Sequence, residues 1–269
     1  MPGDPNPSRV VLTIAGFDPS GGAGLIADVR TFVTFGCRPA AAMTSLTCQN
    51  SAGVFGAIHQ SGQSLRAQIL PVVKELQIAA VKIGMLPTRE LVLEVARLLR
   101  ETGMPAPVVD PVLHSSSGHE LMELGARDAW LTELMPRAHL VTPNIPEAES
   151  LTGLKIRNEL DMRAAASKLR EHGARAVLIK GGHLPVLQAE AVDVLDEDGI
   201  VTVFRGEWID AQPVRGTGCM LSSAIAAVLA QGPKLPEAVR IAKGFVADAI
   251  RYAPKLGPDP VTLELIEIK

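Results

Sequence analysis

Val214-Arg215-Gly216-Thr217-Gly218-Cys219 runs straight into an apolar stretch, Met220 to Gln231, in which Leu221, Ile225, Val228 and Leu229 recur at helical spacing. Two glycines one residue apart allow a tight turn and let the backbone approach a ligand with no Cβ in the way. A glycine turn that feeds a helix aims several free N–H groups, and the positive end of the helix dipole, at one point. Phosphates and developing oxyanions bind at such points. Cys219 stands at the mouth of this turn. A thiol at a helix N-terminus tends toward a lowered pKa. Two readings stay open: an anion site whose thiol acts as base or nucleophile near neutral pH, or a tight turn followed by a small buried cysteine.

The same strand–turn–helix grammar repeats upstream. Val10 to Ala15 reads as a buried strand, followed by Gly16-Phe17-Asp18-Pro19-Ser20-Gly21-Gly22-Ala23-Gly24 and a helix through Leu25, Val29, Phe32 and Val33. Arg38 to Thr47 reads as the second strand, and Leu65 to Leu76 as a helix. Ala79 to Ile83 is a strand. Thr88 caps the next helix, whose apolar face is Leu91, Val92, Val95, Leu98 and Leu99. Pro107-Val108-Val109 leads into Asp110-Pro111, Asp128 to Leu134 is helical, and His139 to Thr142 ends at Pro143-Asn144. A helix spans Glu159 to His172 with Gly173 as its C-cap, and a strand over Ala176 to Ile179 ends at Lys180-Gly181-Gly182-His183. Asp196-Glu197-Asp198-Gly199 marks a hairpin between two short strands. A last helix lies near Leu235 to Ala253.

Alternating strands and helices predict an α/β fold with a mostly parallel sheet covered on both faces. Ligands bind such sheets at the carboxyl ends of the strands. Gly21 to Gly24, Asp110, Asn144, Lys180 and Gly216 to Cys219 all follow strands, so they are expected to gather on one edge. With no linker or repeat in view, residues 9–269 are expected to form one domain behind a loose, Pro-rich tail at 1–8.

Composition narrows the function classes. The 269 residues are 47% hydrophobic and 20% charged, enough for a large core. A net charge of −3 and 3% aromatics point away from nucleic acid and from stacked-base recognition. Cys37, Cys48 and Cys219 lack C-x-x-C spacing, which predicts a reduced cytoplasmic protein without structural zinc or disulfides. No apolar run reaches membrane-spanning length, and the start carries no signal-peptide pattern.

Each polar cluster carries a chemical and a bland reading. Gly22-Ala23-Gly24-Leu25-Ile26-Ala27 fits G-x-G-x-x-A, but the next strand ends in Thr47-Cys48-Gln49-Asn50 with no acidic residue, which speaks against a dinucleotide site. Asp18, Asp28, Gln49 and Asn50 flank the first strand ends, where they either bind a small polar ring or solvate loops and cap helices. Asn144 and Glu147 are spaced either to hold Mg²⁺ with Asp110 or to form a capping box. Lys180 is either a cation for a transferring phosphate or a solvated strand-end lysine. His114, His119 and His183 lack metal-ligand spacing and read as polar loop residues.

Taken in order, Ala15-Gly16-x-Asp18-Pro19-Ser20-Gly21-Gly22-Ala23-Gly24, Lys82-Ile83-Gly84-Met85-Leu86, Asp110-Pro111-Val112, Thr142-Pro143-Asn144-x-Pro146-Glu147-Ala148-Glu149, Lys180-Gly181-Gly182-His183 and Gly216-Thr217-Gly218-Cys219 carry a family pattern. The chain resembles the hydroxymethylpyrimidine/phosphomethylpyrimidine kinases of thiamine biosynthesis, within the ribokinase-like superfamily. The resemblance covers roughly Val10 to Ala253. It implies a ribokinase-like three-layer α/β/α fold, two successive phosphorylations of 4-amino-5-hydroxymethyl-2-methylpyrimidine with ATP and Mg²⁺, and a homodimer. It further implies roles. Cys219 matches the family's cysteine, where sugar-kinase relatives have an aspartate base, and Gly216, Thr217 and Gly218 match the anion hole. Lys180 matches a phosphate contact. Asn144, Lys180 and Gly218 match ATP-binding positions, and Asp110 and Glu147 magnesium-associated ones. Gly16, Asp28, Gln49 and Asn50 lie on the pyrimidine side. The chain departs from the family's usual residues at Phe17, Cys48, His114-Ser115-Ser116, Pro213-Val214-Arg215 and Leu256-Gly257-Pro258, several of them around the substrate. A vitamin B6 kinase of the same superfamily is the alternative, and a pyrimidine-binding protein without transfer is a third reading.

Overall fold

The computed structural model describes residues 9–50, 53–114, 118, 120–182, 190–209, 214–252 and 261–262. The tail at 1–8, Ser115, Ser116, His119, His183, Pro213 and the segment 256–258 lie outside the described residues. A nine-stranded sheet organises the rest. Its strands are β1 (Val10–Phe17), β2 (Arg38–Asn50), β3 (Gly53–His59), β4 (Ile78–Ile83), β5 (Val108–Val109), β6 (Leu140–Val141), β7 (Ala176–Lys180), β8 (Glu190–Glu197) and β9 (Ile200–Glu207). The order is β3-β2-β1-β4-β5-β6-β7-β8-β9. The run from β2 to β7 is parallel. β3 joins one edge antiparallel, and β8 and β9 join the other. A separate parallel pair, β10 (Val214–Arg215) and β11 (Val261–Thr262), lies outside this sheet.

Helices cover both faces, as the alternation predicts. One face carries α2 (Gly62–Glu75), α3 (Arg89–Thr102), α4 (Leu124–Ala129), α5 (Ile145–Thr152) and α6 (Glu159–Arg170), and the other carries α1 (Gly24–Thr34), α7 (Thr217–Ala230) and α8 (Leu235–Arg251). The pleat sorts the strand residues between the two cores. Leu12, Ile14, Val177 and Ile179 join the larger cluster, while Val11, Ala176 and Leu178 face α7 and α8. Central strands buried on both sides read as continuous apolar runs, which is why β1 was legible. The predicted face of α3 is buried in full. Thr88 Oγ1 accepts the Leu91 N–H at its start.

Several boundaries differ from the sequence reading. β3 was not anticipated: Gly53-Val-Phe-Gly-Ala-Ile-His is a half-exposed edge strand with a glycine inside, too weakly patterned to stand out. α4 begins at Leu124, before Asp128, and its continuation from Trp130 to Leu134 is a π-helical turn. α6 stops at Arg170 with Glu171 as C-cap. Gly173 sits beyond it in the left-handed region and donates to the Arg170 carbonyl, so it ends the turn after the helix rather than the helix itself. At the β8–β9 hairpin, Asp198 and Gly199 both have positive φ (51° and 87°), the twist a two-residue loop demands.

α7 starts at Thr217 rather than Met220 and is buried on nearly all sides: Met220 to Val228 and Ala230 are all buried. It lies between α1 and α8 and over β1, β4 and β5. Its small residues, Ser222, Ser223, Ala224, Ala226 and Ala227, let its neighbours come close.

Candidate active site

The polar clusters do converge at the carboxyl ends of the parallel strands. The turn before α7 depends on Gly216, which has φ 80°; a Cβ there would lie 2.1 Å from the Gly22 carbonyl oxygen. The two glycine loops therefore pack backbone against backbone. Gly24, at φ 58°, meets the Gly16 carbonyl in the same way. One residue into α7, a Cβ on Gly218 would sit 3.4 Å from Lys180 Nζ and 3.5 Å from Asp110 Oδ2. The helix N-terminus, a cation and a carboxylate thus share one small space.

Lys180 is not a solvated strand-end lysine. Its Nζ donates to Asp110 Oδ1 at 2.9 Å, and only 14% of its side chain is exposed. Thr142 Oγ1 donates to the same carboxylate oxygen at 3.2 Å. Burial works against the lysine's charge, yet Asp110, Glu147 and Cys219 together leave it more basic than usual. Beside it, Asn144 and Glu147 form a reciprocal capping box at the start of α5. Asn144 Oδ1 accepts the Glu147 N–H at 2.9 Å, and Glu147 Oε2 accepts the Asn144 N–H at 2.8 Å. The capping reading of these two residues is therefore realised. Burial raises the pKa of Glu147, with Asp110 adding to this against Lys180 and two backbone donors. Among the described residues no group of three or more His, Cys, Asp or Glu side chains is placed to hold a metal.

The Cys219 thiol is less acidic than a cysteine at a helix N-terminus tends to be. Burial pushes its thiol up to about 11; Lys82 and the Gly24 backbone oppose this, and the carboxylates of Asp28 and Asp110 reinforce it. The helix terminus does not lower this thiol because partial burial and the neighbouring carboxylates outweigh it.

Asp28 lies inside α1 rather than at a strand end, and it is fully buried. Lys82 Nζ donates to both its oxygens at 2.8 Å, Thr13 Oγ1 to Oδ2 at 2.6 Å and Ser223 Oγ to Oδ1 at 2.7 Å. Burial disfavours the Lys82 ammonium, but Asp28, followed by Cys219 and Asp110, leaves its pKa raised. The sequence reading gave Lys82 no role. Its signal was present, however: a lysine inside the apolar run Ala79-Ala80-Val81-Lys82-Ile83 has to find a buried partner. Gly84 makes room for it, since a Cβ there would fall 2.9 Å from Lys82 Nζ.

Gln49 and Asn50 end β2, on the other side of the glycine turn. Arg215 reaches them: Nη1 donates to the Asn50 carbonyl at 2.6 Å and Nη2 to Gln49 Oε1 at 3.3 Å. Nη2 also lies 3.6 Å from Asp18 Oδ2. Gly16 faces Met85, whose Sδ would be 3.1 Å from an added Cβ. Phe17, the bulky departure, leaves its carbonyl to accept Thr47 Oγ1 at 2.7 Å. Cys48 is exposed, and His114 is an exposed residue bridged to Glu120.

A carboxylate–lysine pair at a helix N-terminus, reached from a second polar cluster, is an arrangement for holding an anion next to a small molecule. The chain is also similar to known kinases. Residues 18–263 match the family described as phosphomethylpyrimidine kinase. A hydroxymethylpyrimidine/phosphomethylpyrimidine kinase of Streptomyces coelicolor is 42% identical over 256 residues, covering 95% of this chain and 94% of its own. A crystal structure of a phosphomethylpyrimidine kinase from Clostridium difficile superposes with a TM-score of 0.79 at 39% identity, over 90% of this chain and all of its own. A pyridoxal kinase of Staphylococcus aureus, in complex with AMP-PCP and pyridoxal, superposes with a TM-score of 0.87 at 30% identity, over 96% of this chain and 94% of its own. This chain is a ribokinase-like kinase and belongs to the phosphomethylpyrimidine kinase family.

Proposed function

We propose that this chain uses ATP to phosphorylate 4-amino-5-hydroxymethyl-2-methylpyrimidine and then the resulting monophosphate, as one kinase domain from residue 9 onward. The observation that carries the proposal is the Lys180–Asp110 pair closed onto Gly218 at the head of α7. Phosphoryl transfer is mostly positioning and charge neutralisation. The N–H groups of Gly216 to Cys219 and the Lys180 ammonium supply donors and positive charge where the transferring phosphate would sit. In the first step the substrate hydroxyl oxygen bonds to the γ-phosphorus, the bond from that phosphorus to ADP breaks, and the hydroxyl proton passes to the Cys219 sulfur. That last transfer requires the thiolate, so the step should quicken with rising pH. Gly16, Asp28, Gln49 and Asn50 are assigned to the pyrimidine side, with Asp28 acting from within its bonds to Lys82, Thr13 and Ser223.

Asp110 and Glu147 suit Mg²⁺ chemically. Both are hard oxygen donors, and Asp110 Oδ2 faces the space over Gly218 while Oδ1 holds Lys180. The ion, when bound, would neutralise and orient the ATP phosphates beside Asn144, Lys180 and Gly218. A homodimer and a cytoplasmic location complete the reading. Among the described residues no helix is long and apolar enough to cross a membrane.

The vitamin B6 alternative draws on the closer backbone superposition of the pyridoxal kinase, set against its lower identity. Backbone likeness does not choose a substrate. Turnover of ATP with hydroxymethylpyrimidine, its monophosphate and pyridoxal, with products identified by mass, tests the choice. Both pyrimidine species should react, and faster phosphorylation of pyridoxal would overturn the assignment.

A further inference from the structure

Arg215 has no part in the chemistry described above, yet its guanidinium occupies the junction between the two halves of the site. It belongs to β10 and directly precedes the Gly216 turn, while its donors reach across to the end of β2. It bonds there to neutral acceptors, the Asn50 carbonyl and the Gln49 amide oxygen. Its nearby carboxylate, Asp18, is 1% exposed, and Asp18 Oδ1 takes the Ser20 N–H and hydroxyl. Asp18 Oδ2 is buried with no hydrogen-bond partner among the described residues; its 3.6 Å approach to Arg215 is longer than a hydrogen bond. A planar fork suited to bidentate phosphate binding thus stands beside an anion turn, its donors on two neutral acceptors and its charge paired at 3.6 Å with the buried Asp18.

The two phosphorylations make different demands. In the first the nucleophile is a neutral hydroxyl that must lose a proton. In the second it is an oxygen of a phosphate monoester that is already an anion. That oxygen forms the new bond to the γ-phosphorus, the bond to ADP breaks, and no proton need be removed. The obstacle is repulsion between two phosphates, one on each substrate, and positive charge between them is the remedy. Lys180 serves the ATP side.

We infer that Arg215 is the residue that recognises the phosphate of the monophosphate substrate, releasing Gln49 and the Asn50 carbonyl to take it. This inference rests on the pyrimidine kinase reading. The assay is steady-state kinetics of each step for wild type, R215Q and R215K, together with calorimetric binding of hydroxymethylpyrimidine and its monophosphate without ATP. In R215Q the ratio of second-step to first-step kcat/KM should fall about 10- to 100-fold, the range of one charge-assisted contact, mostly through KM. Monophosphate binding should weaken by a similar factor relative to the unphosphorylated ligand. R215K keeps the charge without the fork and should recover part of the ratio. An unchanged ratio, or equal losses in both steps and in binding of both ligands, would overturn the inference and leave Arg215 as a brace for Gln49. If wild-type protein phosphorylates neither pyrimidine, the kinase reading itself fails, before any variant is compared.

Discussion

Replacing Lys82 with Met tests how the buried centre beneath the site is held. The substitution keeps the length of the side chain and removes its charge. Lys82 and Asp28 are both 0% exposed, with both carboxylate oxygens bonded to the ammonium at 2.8 Å. Without Lys82, Asp28 retains, among the described residues, the hydroxyls of Thr13 and Ser223. Removing one partner of a buried ion pair costs about 3–5 kcal/mol, because the other charge is stranded away from water. A stranded carboxylate has an escape, which is to take up a proton. For an aspartic acid of ordinary acidity this costs about 4 kcal/mol at pH 7 and so caps the loss. The expected destabilisation of K82M is therefore about 3–4 kcal/mol, or roughly 10 °C in Tm for a chain of this size. Domains are stable by about 5–15 kcal/mol, so the variant should remain folded and measurable by urea denaturation. The sign of the pH effect is defined. The folded pKa of Lys82 is raised, so the pair's contribution is complete below the lysine's ordinary value and is lost only as pH climbs through the folded one. Wild-type stability from this pair is thus constant across pH 6–9, roughly the range below an ordinary lysine pKa. The double variant K82M/D28N removes the stranded charge and should regain most of the loss. A K82M penalty under about 1 kcal/mol, well below the range for a broken buried pair, would refute the reasoning. So would a double variant no more stable than the single one.

Three further outcomes follow from the same geometry. C219A should slow the first phosphorylation by about 10²–10⁴-fold, the usual worth of a positioned base. The wild-type rate should rise with pH toward the thiol's value of about 11, and that rising limb should be missing from the variant. G218A should leave thermal stability almost unchanged, since Ala suits a helix, yet its methyl group enters the space shared by Lys180 and Asp110; kcat/KM should drop about 10²-fold, as for other small misplacements. N144A should lose about 1 kcal/mol in urea denaturation by breaking the capping box, a smaller effect than K82M.

Much of the fold was written in local pattern. The continuous apolar run of β1, the 3.6-residue spacing on α3 and the Asp198-Gly199 turn each follow from nearest-neighbour chemistry, and each is where the sequence placed it. The convergence of Asp110, Lys180 and Gly218 was legible too, because parallel strands deliver their following residues to one edge. What escaped depends on contacts between distant segments. Gly173 gives the same turn signal whether it caps a helix or follows one. The acidity of Cys219 stayed open because the helix terminus is visible in sequence while the burial around the sulfur is not. Lys82 stood in plain view, but its partner lies 54 residues away along the chain, on another element.

α7 has almost no solvent face. A helix packed on every side cannot tilt or slide without reopening the core over β4 and β5 and its contacts with α1 and α8. The orientation of its terminal N–H groups is therefore settled once, when the chain folds, and not again at each turnover. In the language of electron- and proton-transfer theory, the reorganisation energy of this part of the site is low before any nucleotide arrives. Substrates must come to a polar frame that does not adapt to them, and whatever adjustment the reaction requires falls to the loops and to the ligands themselves.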